Sequence, residues 1–115
     1  MKFSSALKLN HIFRRLYSTT AHANACLVLY ARRNRSNSNR VGVTVSKKLG
    51  GAVVRNRVRR RLREIYRLHE DCFLPGFDIV VVARSQAVGA SFRELSDAYL
   101  AAAEKAKILR SERQQ

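Results

Sequence analysis

The chain has 115 residues, which suffice for one domain with a single modest core, and we assign residues 1–115 to one domain. Its formal net charge is +15, and the excess is confined to one half of the chain. Residues 1–63 contain sixteen lysines and arginines and no acid, whereas residues 64–115 contain seven basic and eight acidic residues, giving +16 and −1. This division indicates a face that binds a polyanion. No apolar run approaches the roughly 18 residues that span a bilayer.

The sequence offers few groups for protein catalysis or metal binding. Its three histidines, His11, His22 and His69, are scattered, and no carboxylate precedes Glu64. We interpret His69 as a packing residue near a helix C-terminus, where the helix dipole favours it. The basic half therefore supplies positive charge and surface rather than acid–base groups.

The two cysteines and the N-terminus bear on the cellular compartment. Cys26 and Cys72 lack a CxxC pattern, so we predict small core residues in a reducing cytosol, and the spacing leaves a disulfide between them open. The acid-free N-terminus has the composition of a mitochondrial presequence. We prefer a cytoplasmic protein, because the absence of acids continues far beyond a cleavable leader.

The first elements in chain order are a short helix and a hairpin of two strands. We expect residues 1–9 to be mobile, Asn10 to cap a helix over 11–18, and residues 19–24 to form a polar turn. Phe13 and Tyr17 lie four apart on that helix, a spacing that most often marks core residues, but Arg14 and Arg15 between them favour nucleic-acid stacking. Strands are predicted over 25–32 and 40–46, joined by a flexible basic loop over 32–39.

The second half of the chain predicts two helices around one buried strand. The helices cover 52–69 and 92–109, the second opened by the capping box of Ser91 and Glu94, and the strand covers 77–83 after a loop over 70–76. One face of the last helix is predicted to pack in the core, through Leu95, Tyr99, Ala102, Ala103 and Ala106. The tail from 110 to 115 is predicted to be mobile.

The order helix-strand-strand-helix-strand-helix predicts an α/β fold, an α+β two-layer sandwich with a central sheet. Strand 40–46, helix 52–69 and strand 77–83 are predicted to form a βαβ unit. General rules favour a right-handed crossover for such a unit.

The helix over 52–69 separates an apolar face from a basic one. Val54, Val58, Leu62 and Ile65 fall on one side at about 100° per residue. On the other side lie Asn56, Arg59, Arg60, Arg63 and Arg67. Glu64 is the only acid in this helix, so the basic side repels itself unless an anion covers it.

The run from Arg40 to Arg60 resembles the central motif of the protein subunit of bacterial ribonuclease P. The matching residues are Arg40-Val41-Gly42-Val43, Ser46-Lys47-Lys48, Gly50, Ala52-Val53, Arg55-Asn56-Arg57 and Arg59-Arg60. The resemblance extends more loosely over residues 7–109. It implies a left-handed crossover in the βαβ unit and a monomeric protein that works inside a ribonucleoprotein.

The resemblance also implies a function and the residues that carry it. Members of this family bind the ribonuclease P RNA and the 5′ leader of precursor tRNA, while the RNA carries the leader-removing chemistry with Mg²⁺. No catalytic residue and no protein-bound metal or organic cofactor is therefore expected here, although the chain is part of an endoribonuclease. The residues matching the basic motif are Lys47, Lys48, Arg55, Asn56, Arg57, Arg59, Arg60, Arg63 and Arg67. Those matching the leader-stacking cleft are Phe13, Tyr17 and Tyr30, with Arg14, Arg15 and Arg40 as supporting contacts.

Three other functions stay open at this point. A structural RNA-binding protein, such as a ribosomal protein, would use the same basic face without supporting catalysis. A DNA-binding module would place the arginine helix in a major groove, but the preceding helix and tight turn of a helix-turn-helix unit are missing. A stand-alone protein nuclease would need catalytic groups that the sequence does not supply.

Overall fold

The computed structural model describes residues 4–6 and 10–110, with side chains from Arg14 onward. Two single turns of 3-10 helix, Lys47–Leu49 and Glu70–Cys72, flank the longest helix. The strands are β1 (Ser4–Ala6), β2 (His22–Ala23), β3 (Leu27–Arg33), β4 (Asn39–Thr44) and β5 (Phe77–Ala83), and the helices are α1 (Asn10–Tyr17), α2 (Ala52–His69), α3 (Gln86–Gly89) and α4 (Phe92–Lys105).

β5 is the central strand of a five-stranded sheet with the order β1-β4-β5-β3-β2. It pairs in parallel with β4 and antiparallel with β3. β3 and β4 therefore do not pair with each other, and the predicted hairpin of these two strands is wrong. Its apolar run lets both faces be buried, with Ile79 and Val81 in the main core and Val80 on the opposite side. The prediction of a buried strand over 77–83 is confirmed with the same bounds.

Helices α2 and α4 cover one face of the sheet and α1 lies on the other. Val58, Leu62 and Ile65 of α2 are buried in the main core, as the periodicity predicted. On the opposite face, Leu16 of α1 is buried against Val80. The predicted α/β sandwich is therefore confirmed, with α1 as a short additional helix beyond its two layers.

Several predicted boundaries were wrong. α4 ends at Lys105 rather than 109, because Lys107 adopts a positive φ of 61° and the chain turns back, so that Leu109 bridges to Phe73. β4 ends at Thr44 rather than 46, because Ser46 caps the following 3-10 turn.

Three short elements were not predicted. β1 lies in the segment predicted to be mobile, β2 lies in the predicted polar turn, and α3 lies where no element was predicted. The C-terminal tail was predicted to be mobile from residue 110. Arg110 donates a hydrogen bond to the Asp71 carbonyl, and residues 111–115 lie outside the described part.

The loop between β3 and β4 is ordered by its own side chains, which contradicts the flexible loop predicted. The Asn34 side chain donates to the Ser38 carbonyl and accepts from the Ser36 N–H, at 2.9 Å each. Gly76 makes this packing possible, because a Cβ at its φ of 93° would lie 2.8 Å from the Ser36 carbonyl oxygen. Arg35 sits at the tip with φ 62°.

The two cysteines differ in environment. Cys26 is half-buried beside the core, and burial raises the pKa of its thiol, with nearby Glu94 as a smaller cause. Cys72 is exposed, so the prediction of a core position for it was wrong, because the 3-10 turn over Glu70–Cys72 points it outward. Both thiols are free, and the disulfide left open by the sequence is not formed.

Candidate nucleic-acid interface

The outer side of α2, which we call the arginine face, comprises Asn56, Arg59, Arg60, Arg63 and Arg67. Arg60, Arg63 and Arg67 are exposed, and Arg59 is half-buried. Arg59 Nη1 donates to the Asn56 Oδ1 over 2.8 Å, which fixes the amide against the guanidinium. The structure therefore brings this predicted set together as one cationic surface.

Within the arginine face, Arg67 differs from its neighbours because it is paired. Its Nε and Nη2 contact the Glu64 carboxylate at 2.5 and 2.8 Å. The hydrogen bond and charge of Arg67 lower the pKa of Glu64, and the same pair raises the pKa of Arg67. Arg67 thus carries less available charge for a ligand than Arg60 or Arg63 does.

The basic residues around the start of α2 have mixed settings. Lys47, Lys48 and Arg57 are exposed, whereas Arg55 is half-buried and its Nε donates to the Gly50 carbonyl over 3.2 Å. Gly50, at φ 147°, turns the chain where a Cβ would lie 3.1 Å from Val54. Gly51 offers α2 no side-chain cap, so the first N–H groups of the helix favour an anion.

Arg61, which had no assigned role, makes an internal contact instead. Its Nη1 donates to the Ala90 carbonyl over 3.2 Å, which ties α2 to the segment before α4. Helical spacing does not reveal this contact, because the carbonyl partner comes from a segment that no local pattern indicates.

The opposite side of the sheet, which we call the cleft face, carries the predicted aromatic residues. The rings of Tyr17 and Tyr30 meet edge-on, with centroids 5.1 Å apart, and Tyr17 is 44% exposed. Arg14 and Arg15 are exposed on the same helix as Tyr17. The backbone of Phe13 belongs to α1, and its side chain lies outside the described part of the chain.

Arg40, a predicted supporting contact, also belongs to the cleft face. Its Nε and Nη2 each lie 2.7 Å from a different oxygen of Asp78. Asp78 has a side chain only 7% exposed and also accepts from Asn34 Nδ2 at 3.1 Å. Sequence reasoning missed this acid because it sits inside an apolar strand. A lone carboxylate in such a run was the available signal, since a buried charge requires a partner.

The described residues of the two surfaces do not form a metal centre. Within residues 4–6 and 10–110, His, Cys, Asp and Glu nowhere form a group of three or more that is suited to a metal ion. In the same ranges, no helix is both long and apolar enough to cross a membrane.

A two-layer α/β domain with an arginine face on one side and a basic, aromatic cleft on the other is of the class that binds polyanionic strands. The family model described as Ribonuclease P matches residues 1–107. The ribonuclease P protein component of Alkaliphilus oremlandii is 42% identical over 112 residues, covering 96% of this chain and 98% of the relative. That of Clostridioides difficile is 43% identical over 94 residues, covering 80% and 82%.

Solved structures agree with these relatives. The RNase P protein of Staphylococcus aureus superposes with a TM-score of 0.83 at 33% identity, covering 91% of this chain and 97% of that one. The Thermotoga maritima RNase P protein gives 0.76 at 29% identity, covering 84% and 92%. A further structure is an S. aureus mutant described as defective in mRNA degradation activity. The chain belongs to the ribonuclease P protein family, and the left-handed β4–α2–β5 crossover stays a prediction carried by that resemblance.

Proposed function

We propose that this chain acts as the protein subunit of ribonuclease P, binding the catalytic RNA and the 5′ leader of precursor tRNA. RNA binding and tRNA 5′ processing are the role of the family to which the chain belongs. The proposal of two RNA partners rests on the presence of two separate surfaces in the molecule. The arginine face and the tyrosine pair lie on opposite sides of one sheet, so two RNA segments can be held at once.

The basic residues of α2 and its approach are proposed to bind the enzyme RNA and leader phosphates near the cleavage site. Exposed guanidinium groups form forked hydrogen bonds to phosphate, and each such contact releases counterions from the RNA. Arg60 and Arg63 are the strongest candidates, because both are exposed and unpaired among the described residues. The wider set comprises Lys47, Lys48, Arg55, Asn56, Arg57, Arg59 and Arg67.

The tyrosine pair is proposed to stack on bases of the single-stranded leader. Stacking contributes about 1–3 kcal/mol per base and tolerates any base, as a subunit serving many precursor tRNAs requires. The edge-on contact with Tyr30 holds the ring of Tyr17 in place while leaving it partly exposed. Phe13, Arg14 and Arg15 are proposed to support the same strand.

The chemistry is proposed to belong to the RNA subunit, which would hold most of the Mg²⁺. Residues 1–63, which supply the arginine face up to Arg63 and most of the cleft, contain no carboxylate to act as a metal ligand or general base. The protein would then lower the repulsion between enzyme RNA and substrate and raise the affinity for both substrate and metal. We propose that it does so as a single protein copy in each ribonucleoprotein unit.

Cleavage of a precursor tRNA at low Mg²⁺ tests this function. Protein alone, a bacterial ribonuclease P RNA alone and their mixture are compared, with an Arg60→Gln, Arg63→Gln protein as a binding-deficient control. We expect only the mixture with the unmodified protein to cut efficiently at the mature 5′ end. Tight RNA binding without stimulation would favour a ribosomal-type structural protein, and cutting by the protein alone would overturn the assignment of chemistry to the RNA.

A further inference from the structure

Asp78 is a buried acid directly beneath the cleft face. In the sheet register it lies between Arg32 of β3 and Arg40 of β4. Its carboxylate accepts both Nε and Nη2 of Arg40 at 2.7 Å and Nδ2 of Asn34 at 3.1 Å. Burying a carboxylate is unfavourable unless its oxygens are paired and hydrogen-bonded in this way.

The fork with Asp78 occupies only one edge of the Arg40 guanidinium. Nη1 has no hydrogen-bond partner within the described part of the chain, and the side chain is 37% exposed. A free surface arginine loses rotamer entropy when it binds a ligand, whereas one already held in place loses less. Arg40 is therefore preorganised, and its Nη1 donors are available to a ligand.

Arg40 is also placed where a strand stacked on the tyrosine pair can reach it. Tyr30 pairs with Val80, and Arg40 pairs with Asp78, two residues earlier on the same strand and the same face. The offset along the strands is roughly 7 Å, and the two residues are separated by two strand spacings, roughly 10 Å. A nucleic-acid strand lying across the sheet from Tyr30 thus passes Arg40 within one or two nucleotides.

We propose that Asp78 is a positioning residue that holds Arg40 to bind a phosphate of the precursor tRNA leader. This proposal rests on leader binding in the cleft, as proposed above. The carboxylate offsets much of the arginine's charge, so Arg40 contributes fixed hydrogen-bond geometry rather than net attraction. Arg32, exposed on the other side of Asp78, supplies uncompensated charge beside it.

If Asp78 acted only through its charge, Asp78→Asn would change leader binding in the opposite direction from the change expected for a positioning residue. This variant adds one net positive charge to the cleft face, so a charge-only account predicts tighter leader binding. The positioning account predicts weaker binding, because the forked bond to the carboxylate is lost. We expect the assembled holoenzyme to lose about five- to tenfold in affinity for precursor tRNA and to keep its affinity for mature tRNA.

Three further variants complete the experiment. Arg40→Gln should show the same leader-dependent loss, and the double variant should be no worse than either single one, since the residues act as a unit. Arg33→Gln is the matched control, because Arg33 lies at the same end of the sheet but stacks over Phe77 on the other face, 5.3 Å from its ring centroid. It should leave the affinities for both tRNAs unchanged.

The outcomes separate this proposal from the proposed function. Unchanged or tighter leader binding by Asp78→Asn overturns the positioning role. If Tyr30→Ala weakens leader binding but Arg40→Gln does not, the proposal fails and the function stands. If neither has an effect, leader binding in the cleft itself is wrong. Should Asp78→Asn fail to fold, Arg40→Lys decides: it keeps the charge without the fork, so retained leader affinity contradicts the proposal and a loss supports it.

Discussion

The Asn39 side chain donates a hydrogen bond to the phenol oxygen of Tyr66, 3.0 Å away, and so joins the start of β4 to α2. The same amide nitrogen donates to the Leu74 carbonyl at 3.1 Å, and the amide oxygen accepts from the Phe77 N–H at 2.8 Å. Asn39 is fully buried. One side chain therefore fixes α2 against both strands of the βαβ unit.

Replacing Asn39 by Ala should strongly destabilise the domain. The substitution removes the partner of three buried groups, each worth about 1 kcal/mol or more, so we expect the free energy of unfolding to fall by about 3 kcal/mol. Denaturation in urea, followed by circular dichroism, measures this change. Asn37→Ala is the control, because Asn37 is exposed in the adjacent loop, and a comparable loss there would contradict the assignment.

The hydroxyl of Tyr99 presents the opposite case. It is buried without a hydrogen-bond partner in the described part of the chain. Burial raises the pKa of Tyr99, and the nearby Tyr66 is a smaller cause in the same direction. Tyr99→Phe removes a desolvated hydroxyl, so the free energy of unfolding should stay equal or rise by about 1 kcal/mol. Tyr66→Phe should lower it instead, since Asn39 then loses an acceptor. A loss for Tyr99→Phe as large as for Tyr66→Phe in the same urea titration would contradict this reading.

The tyrosine pair should affect the leader selectively. Tyr30→Ala in the assembled holoenzyme should weaken precursor tRNA binding by about 1–3 kcal/mol and leave mature tRNA binding nearly unchanged, because only the precursor carries a strand to stack. Adding Phe13→Ala should enlarge the difference. Tyr30→Phe keeps the ring and is the control. Equal losses for both tRNAs in a filter-binding titration would count against a leader cleft.

The arginine face should determine how binding depends on salt. Replacing Arg59 and Arg63 by Gln should reduce the slope of log affinity for the enzyme RNA against log salt by about two units, one for each phosphate contact. Arg93→Gln is the control, because it removes one positive charge, half of what the double variant removes, from an exposed site on α4. A reduction of the slope by about one unit for Arg93→Gln would mean that overall charge, rather than this face, governs binding.

Glu64 should restrain the arginine face. Glu64→Gln frees Arg67, so the salt slope should become steeper by up to about one unit. Because Arg67 lowers the pKa of Glu64 below its ordinary 4.5, the ion pair is fully formed above that value and is lost as the pH falls through the lowered pKa. The effect of Glu64→Gln should thus be constant from pH 6 to pH 8, and a variation across that range would point to another titrating group.

The elements that could be predicted from sequence are those specified by a long local pattern. α2 and β5 have the bounds that their periodicity and apolar run indicated, and the capping box of Ser91 and Glu94 forms as expected. β1 and β2 were missed because two or three residues carry no period, and their pairing with β4 and β3 is decided by the sheet. The loop after β3 had a usable signal in its Asn and Ser residues, which favour local side-chain hydrogen bonds.

The site divides in the same way. The arginine face follows from helical spacing alone, because its members share one element. The contact of Tyr17 with Tyr30 and the fork of Arg40 on Asp78 join residues far apart in the chain, so no periodicity reveals them. The resemblance to the family assigned Tyr17 and Tyr30 to one cleft. Asp78 was overlooked, because the strand that contains it was interpreted from its apolar residues alone.

The central place of β5 has a consequence for how the chain is made. β3 and β4 are consecutive in sequence, yet they never pair with each other, because β5 is inserted between them. During synthesis, the sheet cannot close until residue 83 has left the ribosome, and every earlier intermediate is a strongly cationic chain. The nascent polypeptide is therefore most exposed to indiscriminate capture by cellular RNA before it can fold, and the arrival of β5 between β4 and β3 ends that interval.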